Sequence, residues 1–168
     1  MRMLHRPLLI ALALGIFVCP VDAQSAAASR GSDQERLVRA FFEEQWNQGS
    51  GAGLDERITD DFRFHFRGRA MEMDAAGVMR MVESWRNAFS GLRFSIEDVI
   101  ASGDRAAARL TFTGTHSAET WDIEPTGRTV TVTMMAFFRF EDGRIAEIWE
   151  DYDEHGLRQQ LTRAEPES

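Results

Sequence analysis

Two side chains in this sequence, Glu150 and His116, combine a titratable group with an apolar setting and could move a proton. Glu150 closes the triplet Ile148-Trp149-Glu150 at the end of an alternating stretch from 144 to 152. Residues of one parity in a strand share one face, here Ala146, Ile148, Glu150 and Tyr152. On a core-facing side the Glu150 carboxyl would stand near Ile148, Met134 and Ala136, where water is scarce. Desolvation disfavours the charged form and raises a carboxyl pKa toward the range of a working general acid or base. The other reading places Glu150 in the acidic run Glu147, Glu150, Asp151, Asp153 and Glu154, solvated at a strand end. His116 shares parity with Ala106, Ala108, Leu110 and Phe112. On the concave face it could polarise a carbonyl oxygen or pair with Glu150; beside its Gly-Thr turn it could equally be a local hydrogen-bonding residue.

Around these two, strand parity and position nominate a lining. Met134, Ala136 and Ile148 would make an apolar wall, and Tyr152, the only tyrosine, has the parity to join it as a phenol donor. Trp121 lies in the loop after His116 and could close the pocket mouth or simply pack at its rim. His65 alternates with Arg63 and Arg67, opposite Phe62, Phe64 and Phe66, and is the weakest of the pocket candidates. Convergent polar groups in an apolar cavity are the usual mark of a small-molecule site.

Other chemistries lack their residues. His65, His116 and His155 fall in no metal-ligand spacing, so no metal is expected. Lysine is absent, which removes Schiff-base catalysis. There is no Gly-x-Ser-x-Gly nucleophile turn, phosphate loop or dinucleotide fingerprint, and no cofactor is expected.

The elements that must position these residues follow from periodicity. Ser32-Asp33-Gln34-Glu35 has the form of a capping box. Leu37, Val38, Phe41, Phe42 and Trp46 then recur at helical spacing. A short second helix fits 54–58. Asp61 to Phe66 alternates as a strand. Asp74 can cap a third helix carrying Val78, Val82, Trp85 and Phe89 on one face, with Gly91 as its stop. From Leu92 the period becomes two, predicting strands at 92–101, 105–116, 129–140 and 144–152. Gly103-Asp104 and Asp142-Gly143 make the hairpin turns, and a last helix covers 154–162. Helices followed by an antiparallel meander define an α+β domain with helices on one face of the sheet.

The ordered set Gly103-Asp104-Arg105, Gly114-Thr115-His116, Pro125-Thr126-Gly127-Arg128, Asp142-Gly143-Arg144-Ile145, Trp149-Glu150 and Asp153 resembles the SnoaL-like polyketide cyclase family, also called ester cyclases. The resemblance runs from about Leu37 to Leu161. It implies a cystatin-like cone, shared with nuclear transport factor and ketosteroid isomerase: a curved antiparallel sheet wrapped around N-terminal helices, with a pocket open at one end. It also implies an acid–base carboxylate directly after the position of Trp149, usually aspartate, which is Glu150 here. The family's characterised cyclases carry polar side chains where this sequence has Met134 and Ala136, which points to a smaller or more apolar ligand. Two functions follow: cofactor-free acid–base chemistry on a small apolar carbonyl compound, by aldol-type cyclisation or isomerisation, or a non-catalytic small-molecule-binding dimer.

The chain has 168 residues and a net charge of −8. Arg2, His5 and Arg6 precede an apolar run from Leu8 to Val18, and Val21-Asp22-Ala23 offers small residues for a signal peptidase. Residues 1–23 therefore read as a signal peptide cleaved after Ala23, 24–31 as a linker, 32–162 as one domain and 163–168 as a tail. A periplasmic or secreted location is expected. Cys19 raises a lipoprotein alternative, against which Val18 stands, since lipoprotein signals place a small residue there. Cleavage would leave 17 arginines against 26 acidic residues, a net charge of −9. Neither nucleic acid nor an anionic membrane surface attracts such a domain. Thr131, Thr133, Met135, Phe137 and Trp149 have outward parity, and an apolar outer sheet face predicts a homodimer.

Overall fold

The computed structural model describes the backbone of residues 21–163 and the side chains of 31–163. Cys19, most of the segment 1–23 and the tail beyond Arg163 lie outside the described residues. The first helix, α1, spans Val21–Ala40. Its backbone is helical through 24–31, the stretch read as a linker, and Ser32 is an interior residue rather than its N-cap.

The helix widens into a π-helical segment, Phe41–Asn47. Gln48 N–H reaches back five residues to the Glu43 carbonyl at 3.0 Å, and Ser50 N–H six to that of Glu44 at 2.9 Å. Phe41, Phe42, Gln45 and Trp46 all lie on its buried side. Such segments are rare and recur at functional sites. A short α2, Leu54–Arg57, leads into β1, Ile58–Phe66. The next strand, β2 at Arg69–Glu72, was not foreseen. Arg67 and Gly68 both take positive φ, 53° and 72°, and form the tight turn that folds β2 onto β1.

Helix α3 spans Ala75–Ala88 and is capped by Asp74, whose carboxylate accepts from Gly77 N–H at 2.7 Å. It ends before Phe89, where β3, Phe89–Ser102, begins. Phe89 is thus a strand residue, not the last member of the helix stripe. Gly91 does not stop the helix: at φ 66° it lies in a bulge of β3, where the register against β4 shifts between Ser90 and Arg93. Strands β4 at Arg105–His116, β5 at Thr129–Glu141 and β6 at Arg144–Tyr152 follow the alternation, and α4 covers Glu154–Thr162.

The strands form one sheet in the order β2-β1-β6-β5-β4-β3. All neighbours are antiparallel except β1 and β6, which run parallel. The architecture is α+β, a curved and unclosed sheet around the helices. The inner face carries Ala106, Ala108, Leu110 and Phe112 of β4 and Val130, Val132, Met134, Ala136 and Phe138 of β5, all buried. Phe41 and Phe42 pack edge-on against Phe138 with centroids 6.5 and 6.2 Å apart. Each such pair adds about 0.5–1.5 kcal/mol beyond its buried area.

Candidate functional site

Glu150 faces inward from β6 and is 9% exposed. On the sheet it pairs with Ala136, which pairs with Ala108, so two methyl groups are its lateral neighbours. Its Oε1 is buried and has no hydrogen-bond partner among the described residues. Burial alone pushes its carboxyl from the ordinary range up to about 8.

Above Glu150 is a cavity of about 90 Å³, lined by Trp46, Phe64, Phe66, Met71, Met81, Trp85, Phe94, Phe112, Met134, Glu150 and Tyr152. Every described element except α1, α2 and α4 sends an aromatic or thioether side chain toward it. Trp46 comes from the π-helical segment, Trp85 from α3, Phe94 from β3 and Phe112 from β4. Trp46 lies against Phe94 with ring centroids 4.9 Å apart, and Trp85 packs edge-on to Tyr152 at 5.6 Å. Tyr152 stacks on Phe66 at 5.4 Å. Burial is the main cause that drives the Tyr152 phenol up to about 12. Tyr152 therefore stays protonated at neutral pH and can only donate or accept as a neutral hydroxyl.

Met134, Tyr152 and Glu150 thus line one cavity, as strand parity implies. Ala136 and Ile148 are buried beside Glu150 but are not among the cavity-lining residues. The sequence pattern does not assemble the aromatic wall: Trp46 and Trp85 read only as helix stripe, and Met71 belongs to β2, which the alternation does not predict. The helical periodicity that marked Trp46 and Trp85 as buried was the available signal.

His116 is buried at the far end of β4 and is not among the residues lining this cavity. The Glu150 row crosses β4 at Ala108, eight residues before His116, or roughly 26 Å of strand. A pairing with Glu150 is ruled out by that separation. Its Nδ1 accepts from Thr126 N–H at 3.2 Å and lies 3.2 Å from the Thr126 hydroxyl. His116 N–H and carbonyl also pair with Arg128 and Gly127. Its observed work is to hold the Pro125–Arg128 loop, the local hydrogen-bonding reading.

Trp121 sits in a tight turn, Thr120 to Ile123, with φ of 52° at Trp121 and 61° at Asp122. Its ring packs edge-on to Trp85 at 5.9 Å, and the Arg158 guanidinium lies 5.0 Å over it. Trp121 does not line the cavity itself; it packs on Trp85 of the cavity wall and shares a neighbouring groove with Phe66, Trp85 and Tyr152.

His65 points to the outer face, as its alternation indicates, away from the 90 Å³ cavity, and with Ala136, Trp149 and Glu150 lines a broader pocket of about 620 Å³. It stacks on Trp149 at 4.6 Å, and its Nε2 lies 2.7 Å from Glu147, which also accepts from Arg139 Nε at 2.7 Å. Along the sheet Ile100, Ala107, Phe137, Trp149 and His65 form one cross-strand row. Met135 is 60% and Phe137 43% exposed beside it. Among the described residues, no group of three or more His, Cys, Asp or Glu side chains is placed to hold a metal. No described helix is long and apolar enough to cross a membrane.

The architecture is a cone-shaped α+β fold with a buried carboxyl in an aromatic cavity. Residues 36–161 match the model of the SnoaL-like polyketide cyclases, and the chain belongs to that family. TsrD from Streptomyces laurentii is 27% identical, with a TM-score of 0.69 over 79% of this chain and 97% of its own. IdmH from Streptomyces antibioticus, a candidate polyketide cyclase, is 28% identical, with a TM-score of 0.67 over 76% and 96%. A SnoaL-like polyketide cyclase candidate from Jannaschia sp. CCS1, at 21% identity and a TM-score of 0.72 over 80% and 95%, shares the fold. No curated protein matches the sequence.

Proposed function

We propose that this protein is a cofactor-free acid–base catalyst acting on a small apolar carbonyl compound, with Glu150 moving the proton. The observation that carries this is the Glu150 carboxyl itself, buried in an aromatic cavity with Oε1 unpartnered. A polar group left unsatisfied in an apolar wall costs stability, roughly 1–3 kcal/mol, and a ligand that meets it recovers that cost. Ionised Glu150 would take a proton alpha to a carbonyl. The C–H electron pair moves into the carbonyl as an enolate. The enolate then either takes the proton back from Glu150, at the alpha carbon or, where it is conjugated with a beta,gamma double bond, at the gamma carbon, or closes a ring on a second carbonyl, whose alkoxide receives the proton from Glu150. The aromatic wall excludes water from the intermediate.

Deuterium uptake by acetophenone in D2O, followed by NMR, tests the proposal. The wild type should exchange the methyl protons, Glu150→Gln should not, and the rate should rise with pH to a plateau above about 8. A wild type that binds acetophenone without exchanging it would favour the second reading, a non-catalytic binding dimer. The apolar Met134 wall, which gives a reaction few hydrogen bonds, supports that reading. Export through the N-terminal segment and homodimerisation through the outer sheet face belong to the same proposal. The signal-like residues 8–23 and the exposed Met135 and Phe137 support them.

A further inference from the structure

Among the residues lining the Glu150 cavity, Trp46 carries a second buried polar atom without a partner. Trp46 is 2% exposed, and its Nε1 is buried without a hydrogen-bond partner among the described residues. Indole N–H is a donor only. Trp46 lines the same cavity as Glu150. Trp46 from the helical layer and Glu150 from the sheet thus line one small apolar space, each with a buried polar atom that has no partner among the described residues.

The placement of Trp46 is heavily braced. Arg86 donates from Nη1 to the carbonyls of Trp46 and Asn47, both at 2.8 Å, closing the C-terminal end of the π-helical segment. The next side chain, Asn47, accepts from Phe94 N–H at 2.7 Å and donates to the Phe94 carbonyl at 3.0 Å. This ties the Trp46 backbone to the strand whose Phe94 ring packs against the indole. Fixed donors are what a charge-developing oxygen needs, because they cost no reorganisation when the charge appears.

We infer that the Trp46 indole N–H binds the carbonyl oxygen of the ligand, and that the ligand is a neutral, flat carbonyl compound held between Trp46 and Glu150. The role of Trp46 in catalysis rests on the acid–base reading of Glu150; its role in binding does not. As Glu150 withdraws the alpha proton, the electron pair ends on the carbonyl oxygen, and Trp46 N–H shortens onto it. A compound of the same shape without the oxygen leaves the donor unsatisfied and binds less tightly. Met71 and Met81, on the same wall, give the cavity flexible side chains that can yield to different ring systems.

The test follows the four tryptophan indole N–H signals of ¹⁵N-labelled protein, with Trp46 assigned through Trp46→Phe, or by elimination with the other three phenylalanine variants if Trp46→Phe does not fold. Acetophenone should move the Trp46 proton downfield and slow its exchange, whereas ethylbenzene, which lacks the oxygen, should not. Trp46→Phe should weaken acetophenone about five- to tenfold and leave ethylbenzene unchanged. Glu150→Gln separates the two readings: a retained Trp46 shift without deuterium exchange supports the donor. A Trp46 shift in a wild type that does not exchange defeats only the Glu150 chemistry. Equal responses to both compounds, or an unmoved Trp46 signal up to the solubility limit, would overturn the inference.

Discussion

Glu147 and Glu150 lie three residues apart on β6, face opposite sides of the sheet, and titrate in opposite directions. Glu150 meets no compensating charge, and burial pushes it up to about 8. Burial also works to raise Glu147, but hydrogen bonds from Arg139 and His65 outweigh it and hold that carboxyl below its ordinary value. One strand thus carries an ion-paired carboxylate outside and a carboxyl that holds its proton inside, set apart by environment alone.

Glu150 sets a slope in stability with pH. Its folded pKa lies above its unfolded value, so the folded state holds the extra proton. No cost exists below about pH 4, where both states are protonated. Between about 4 and 8 the protein loses about 1.4 kcal/mol per pH unit from this group, and the loss levels off above 8. Glu150→Gln should flatten that part of the profile in urea melts read from pH 4 to 9. An identical slope in both proteins would place the Glu150 carboxyl in water.

Gly114 fixes how closely β4 approaches the start of β3. A Cβ there would meet Phe89 Cβ at 2.9 Å and Leu92 Cα at 3.5 Å. Neither backbone nor Cβ can swing aside, so Gly114→Ala should cost about 1–3 kcal/mol by chemical denaturation. A neutral effect would mean that the bulge at Gly91 is soft enough to absorb a methyl group.

Glu150 and His116 show what the sequence displays and what it hides. Strand parity placed Glu150 inside because β6 alternates cleanly and its hairpin turn, Asp142-Gly143, fixes the register. Parity also put His116 on the same face, correctly, but parity carries no information about distance along a strand. Eight residues separate His116 from the Glu150 row. The helix α3 read one residue too long because Phe89 suits both a helical stripe and a strand. The aromatic ceiling over Glu150 comes from elements remote in sequence, and no local pattern could bring Trp46, Trp85 and Phe94 together.

The outer face carries the proposed dimer. Phe137, 43% exposed, lies edge-on to Trp149 at 6.2 Å, beside the 60% exposed Met135. Phe137→Arg should leave the fold intact, since the position is already in contact with water, and give a monomer by light scattering. A wild type that is monomeric at micromolar concentration removes this interface.

The proposed export makes a simple mass prediction. Protein recovered from the periplasm or medium of the producing cell should begin at Gln24. Retention of Met1, or a lipid on Cys19, would replace that reading.

Asn47 should prove more important to the fold than a half-buried polar side chain usually is. The edge strand β3 has β4 on one side only, and Phe94 turns its N–H and carbonyl to the open side, where the Asn47 amide meets both. The amide acts as a one-residue strand, satisfying a sheet edge that would otherwise be open to association. Asn47→Leu keeps the size but leaves both backbone groups unpaired beneath Trp46, and should cost about 2–4 kcal/mol in chemical denaturation. Asn47→Asp keeps the acceptor for Phe94 N–H and loses the donor, so its cost should fall between wild type and leucine. The same order should appear in acetophenone affinity, because Asn47 holds the indole that binds it. Leucine and aspartate variants as stable as wild type would show that the π-helical segment is positioned by apolar packing alone.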